Sequence, residues 1–206
     1  EIFFFFLKVY YRGISKFILH KTKKFKWSNG MTKSTHRIFL IGLMGSGKTT
    51  IGKIVAKKLH FTFMDSDVLI EEKTGVKVPL IFEYEGEEGF RKREASCLIE
   101  LVTKNDMVLA TGGGMVLSRD NRELLAQSGS VIYLKAHTDE LARRLANDKS
   151  RPLLQHVDVK QKLKELLESR EVLYESCADY IIQTKNKRAV DIADEIITTL
   201  RCHEDH

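Results

Sequence analysis

Glycine, four residues, then Gly-Lys-Thr is the most chemically pointed spacing in this 206-residue chain, and it falls at Gly42-Leu43-Met44-Gly45-Ser46-Gly47-Lys48-Thr49-Thr50. Glycines in such a loop turn with positive φ and bring successive N–H groups onto phosphate oxygens. A helix starting behind them adds the positive end of its dipole. Lys48 would reach the β- and γ-phosphates of a nucleotide, and Thr49 would place a hydroxyl on Mg²⁺. Two carboxylates follow, Asp65 and Asp67. Two apart at the end of an extended segment, they point the same way, so one could enter a Mg²⁺ shell while the other accepts a proton from an attacking hydroxyl. The plainer alternative makes Asp67 the N-cap of a helix over 68–73 that Gly75 ends.

Two arginines interrupt apolar stripes. Arg91 lies in register with Ala95, Leu98 and Val102, and Arg170 with Leu163, Leu167 and Tyr174. A charge so placed needs a partner; for Arg91 that is either Glu87 one turn earlier or an anion in a cleft. Together they suggest a clamp for one small carboxylate, which guanidinium groups bind bidentately. Thr111-Gly112-Gly113-Gly114 is either a loose loop or a place where backbone or ligand comes close. Residues 147–156 lose apolar periodicity and contain Arg151, the composition of a lid over a phosphoryl-transfer site.

The elements that must position these groups follow from hydrophobic pattern. Apolar runs at 38–41, 61–64, 107–110, 131–134 and 180–183 read as strands, the third leading straight into the glycine run. Helical patterns occupy 51–59, 68–73, 79–85, 87–102, 121–127, a stretch capped by Thr138 that carries Leu141, Ala142 and Leu145, 159–176, and a closing helix marked by Val190, Ala193, Ile197 and Leu200. Pro79 stands near the start of one helix and Gly86 at its stop.

Length and composition, 43% hydrophobic and 30% charged, suit one globular domain. Cys97, Cys177 and Cys202 are scattered and lack metal-ligand spacing, so free thiols are expected. The net charge of +6 is accounted for by residues 1–30, where Lys8, Arg12, Lys16, Lys21, Lys23, Lys24 and Lys26 face Glu1 alone. The rest of the chain is balanced, which argues against a nucleic-acid surface on the domain. That basic, aromatic segment is too interrupted by charge for the ~18 to 20 apolar residues of a membrane span. We expect residues 1–30 to be an extension outside the fold, with Met31 as the natural start.

Taken together, Gly42-Leu43-Met44-Gly45-Ser46-Gly47-Lys48-Thr49-Thr50, Asp65-Ser66-Asp67, the run from Ile81-Phe82 through Gly86-Glu87 to Phe90-Arg91, Thr111-Gly112-Gly113-Gly114, Arg151-Pro152-Leu153-Leu154, and Arg170 with Tyr174, Ala178 and Asp179 resemble shikimate kinase in order and spacing. The resemblance implies a three-layer α/β/α sandwich around a five-stranded parallel sheet, of the nucleoside-monophosphate-kinase type. It implies one domain over 31–206, a substrate-binding region over about 66–94 and a lid over about 146–158. Carried over residue by residue, it puts ATP phosphates on Gly45, Ser46, Gly47, Lys48, Thr49 and Thr50, and Mg²⁺ on Thr49 and, through water, Asp65. Asp67 would bind the ring hydroxyls of shikimate and assist deprotonation of the 3-hydroxyl. Arg91 and Arg170 would hold its carboxylate beside Gly112, Gly113 and Gly114. Arg151 would reach the transferring phosphate, with Arg144 and Lys187 on the adenine side. A monomer in the cytoplasm, or in a plastid stroma, is expected. Gluconate kinases share the loop and size, and Arg91, Arg170 and the glycine run discriminate against them.

Overall fold

The computed structural model describes residues 36–146, 152–154 and 157–202. In chain order the strands are β1 Arg37–Ile41, β2 Thr62–Asp65, β3 Met107–Ala110, β4 Ser130–Lys135 and β5 Tyr180–Gln183. The helices are α1 Lys48–Leu59, α2 Ser66–Thr74, α3 Val78–Leu101, α4 Arg119–Ser128, α5 Thr138–Leu145, α6 Val159–Cys177 and α7 Ala189–Cys202, with short 3₁₀ turns at Met115–Leu117 and Pro152–Leu154. All strand pairs are parallel, in the order β2-β3-β1-β4-β5.

A parallel sheet is covered on both faces, so its central strand is apolar throughout. Ile38, Phe39, Leu40 and Ile41 are fully buried, each worth roughly 2 kcal/mol of transfer free energy. Alternation along β1 divides them between two cores. Ile38 and Leu40 pack with Ile51 and Val55 of α1 and with Ile192 and Ile196 of α7. Phe39 and Ile41 join Leu98 of α3, Leu125 of α4 and Leu163 of α6. The result is the expected three-layer sandwich.

The helices read over 79–85 and 87–102 stand end to end as α3 across a break at Gly86, whose φ of 69° and ψ of −177° lie outside the helical range. Rings of Phe82 and Phe90 pack across that break, 4.7 Å between centroids. The buried face of α3 carries Phe90, Glu94, Cys97, Leu98 and Leu101, so the stripe predicted through Arg91 and Ala95 is displaced by one position. Two caps also differ from expectation. β2 continues to Asp65, so the chain turns into α2 there, and Asp65 rather than Asp67 is the N-cap: its Oδ1 accepts from the N–H of Asp67 at 3.1 Å and of Val68 at 3.5 Å. Extended backbone likewise reaches His137, whose Nδ1 accepts from Asp139 N–H at 3.4 Å and displaces Thr138 as cap of α5. Cys97 and Cys177 are buried and Cys202 is exposed, all as free thiols.

Candidate active site

The loop between β1 and α1 turns on left-handed glycines, with φ of 79° at Gly45 and 96° at Gly47, the residue that precedes the first turn of α1. Side chains there would be strained, and the backbone of a phosphate cradle needs this curvature. Lys48 is buried, and its Nζ donates to the carbonyls of Gly42 at 2.7 Å and Leu43 at 3.0 Å and to Ser46 Oγ at 3.5 Å. Thr49 Oγ1 donates to Asp65 Oδ2 at 2.8 Å. The second carboxylate oxygen of Asp65 is the one that caps α2, so a single side chain joins the loop to the helix carrying Asp67. Arg144, on α5, donates from Nη1 to the Gly45 carbonyl at 3.0 Å, and Lys187 pairs with Glu195 at 2.5 Å. A cleft of about 860 Å³ runs along this edge, lined by the loop, Asp65, Asp67, Gly113, Arg144 and Lys187. Arg151 and most of the predicted lid lie outside the described residues.

The glycine run after β3 forms the opposite wall, and close approach, not looseness, accounts for two of its members. A Cβ at Gly112 would lie 2.3 Å from Glu94 Oε1 and 2.7 Å from Asp67 Oδ1, and one at Gly114 would lie 2.3 Å from the guanidinium of Arg91. At Gly113 it would meet only ordinary contacts, the nearest at 3.4 Å. The N–H of Gly112 donates to Ser66 Oγ at 2.8 Å, tying the run to the first turn of α2.

Arg91 was open to two readings, a helical ion pair or an anion site, and the ion pair is present. Its Nη2 donates to Glu87 Oε1 at 2.7 Å, and its Nη1 donates to Glu94. Burial works against the guanidinium charge, and the two glutamates more than offset it, leaving the Arg91 pKa raised. Arg170 is buried, with Nη1 donating to the Gly113 carbonyl at 3.4 Å, and Tyr174 Oη donates to the same oxygen at 2.5 Å. Neither arginine lines the cleft described above. They stand behind the glycines, Arg91 against Gly114 and Arg170 against the Gly113 carbonyl.

Glu94 is the group that sequence reasoning passed over. It is inaccessible to solvent, and burial pushes its carboxyl up to about 7 despite the opposing Arg91 charge, with Asp67 adding to the rise. The signal existed: Phe90, Cys97, Leu98 and Leu101 form a stripe that passes through position 94. Asp179, another motif residue, does structural work, accepting Val131 N–H at 2.7 Å.

A family model for shikimate kinase matches residues 44–201. The chain belongs to the shikimate kinase family. Relatives include the shikimate kinase of Cupriavidus pinatubonensis, 48% identical over 163 residues that span 79% of this chain and 85% of the relative. That of Methylococcus capsulatus is 50% identical over 152 residues, 74% and 85% of the two chains. The solved shikimate kinase from Acinetobacter baumannii in complex with shikimate aligns with a TM-score of 0.81 at 44% identity, covering 84% of this chain and 96% of that one. A gluconokinase from Sinorhizobium meliloti, 16% identical with a TM-score of 0.52 over 83% and 95%, shares the fold alone.

Proposed function

We propose that this chain transfers the γ-phosphoryl group of ATP to the 3-hydroxyl of shikimate, giving shikimate 3-phosphate and ADP in the biosynthesis of chorismate and the aromatic amino acids. The observation that carries the site assignment is the arrangement at the start of α2. Asp65 is bonded to Thr49 of the donor loop at 2.8 Å, and Asp67, two residues on, has its carboxylate beside Gly112 and within the electrostatic reach of Glu94.

Phosphoryl transfer asks a protein mainly for positioning and charge stabilisation. Loop N–H groups and Lys48 hold the β- and γ-phosphates, with Lys48 exchanging its carbonyl partners for phosphate oxygens. Arg91, Arg170 and the glycine run hold the shikimate carboxylate and ring. Asp67 accepts the 3-hydroxyl proton as the new P–O bond forms, and the bridging oxygen leaves with ADP. Arg144 and Lys187 flank adenine, and Arg151 approaches the transferring group to complete the charge balance. The Thr49 hydroxyl and Asp65 carboxylate are hard oxygen donors already in contact, a set that fits Mg²⁺ together with water and phosphate. Bound there, Mg²⁺ would neutralise charge on the β- and γ-phosphates.

A coupled ADP-release assay with Mg-ATP and shikimate, gluconate or nucleoside monophosphates tests the reading. Turnover should depend on shikimate, and the absence of shikimate-dependent turnover would overturn the proposal. We further propose that residues 31–206 act as one monomeric domain in the cytoplasm or a plastid stroma, without nucleic-acid partners. Among the described residues no helix is long and apolar enough to cross a membrane.

A further inference from the structure

We propose that Tyr174 is a positioning residue for the acceptor: its hydroxyl saturates the Gly113 carbonyl and so keeps the Arg170 guanidinium available to the substrate carboxylate. The inference rests on the assignment of Arg170 to that carboxylate.

Arg170 and Tyr174 lie one turn apart on the buried face of α6, so both side chains reach the same wall. Both donate to one backbone oxygen, and they do so unequally. Tyr174 Oη is 2.5 Å from Gly113 O, whereas Arg170 Nη1 is 3.4 Å away, near the limit of a hydrogen bond. A partly buried carbonyl that loses its donor carries part of the desolvation penalty and recruits the nearest donor that can reach it. The nearest would be the guanidinium, a charged and therefore stronger donor than a phenol. Drawn onto Gly113, its fork would no longer be aligned for bidentate pairing with a carboxylate.

The hydroxyl is itself fixed. Tyr174 is fully buried, so no solvent competes for it, and its ring stacks on the buried ring of Tyr133 at 5.0 Å with an interplanar angle of 21°. Burial also pushes the Tyr174 phenol well above its ordinary pKa, which keeps it protonated and a donor. Phenylalanine in its place would preserve volume and stacking while removing the hydroxyl's bond to Gly113 and its contact with Arg170.

The test is steady-state kinetics on the full chain. Tyr174→Phe should raise the shikimate KM about tenfold, the size of one lost hydrogen bond to a charged or buried group. The KM for ATP and the kcat should stay within about twofold. With an analogue of shikimate that lacks the carboxylate, the same substitution should change KM by less than about twofold. If the phenylalanine variant does not fold, 4-fluorophenylalanine at 174, which fills the hydroxyl's space without donating, takes its place. Incorporation of 4-aminophenylalanine, which keeps a donor at that position, should restore the shikimate KM. An unchanged shikimate KM in Tyr174→Phe beside a raised one in Arg170→Lys overturns the role of Tyr174 alone. An unchanged shikimate KM in Arg170→Lys overturns the carboxylate assignment and this inference with it. An equal loss of affinity for ATP and shikimate, or for shikimate and its decarboxylated analogue, identifies a structural role and also overturns the proposal.

Discussion

Glu94 brings a carboxylate to a place that water does not reach, against Arg91 and facing Asp67 across the missing side chain of Gly112. Burial is the larger influence on it and raises its pKa to about 7; the Arg91 charge opposes the rise without cancelling it. A carboxyl whose folded pKa lies above its unfolded value of 4.5 binds its proton more tightly in the fold. Its contribution to stability is therefore complete below pH 4.5 and is lost as pH rises through about 7. Glu94→Gln, permanently neutral, abolishes that dependence. We expect the variant to gain on the parent protein by up to about 3 kcal/mol between pH 4.5 and 8. Urea unfolding at the two pH values measures the difference, and parallel changes in parent and variant would refute it.

Among the elements, α2 depends on a residue that also belongs to the donor loop. Asp65 Oδ1 caps the helix and Oδ2 accepts from Thr49, so two substitutions should separate the duties. Asp65→Asn keeps a capping oxygen and loses the charge that favours a divalent cation. Asp65→Ala loses both, and a missing cap costs about 1 kcal/mol. Activity titrated against Mg²⁺ should therefore shift to higher concentration in both variants, while thermal melting should fall clearly only in Asp65→Ala. Equal melting losses would show that the carboxylate's charge, not its cap, holds α2. The same element marks where sequence stops being sufficient. The five strands and the phosphate loop were legible because apolar runs and glycine spacing act locally. Caps were legible only to within a residue or two, since Asp65 and Asp67 are equally good capping types and the length of β2 decides between them. Glu94 sits in the run Arg91-Lys92-Arg93-Glu94, whose charges mask the apolar stripe through position 94, and that its carboxylate packs against Gly112, far along the chain, is decided only by the fold. The glycine run's purpose was legible as close approach, but which groups approach it is a tertiary fact.

For the molecule as a whole, one sheet separates two cores and every described element begins at or after Arg37. The basic excess of residues 1–30 lies apart from those cores in sequence. Removing residues 1–30 should therefore leave kcat and both KM values within about twofold. Kinetics and thermal melting of the shortened chain check this, and a large loss of either would place that segment within the working fold. Gly112 and Gly114, finally, constrain descent. The first carbon added at 114 lies 2.3 Å from the Arg91 guanidinium, and the first added at 112 lies 2.3 Å from Glu94. Both opposing atoms are the far ends of long side chains, so a side chain at either glycine is accommodated by displacing Arg91 or Glu94 and disturbing their ion pair. A lineage that gave up these glycines would thus give up the placement of the Arg91 guanidinium and Glu94 carboxylate with them.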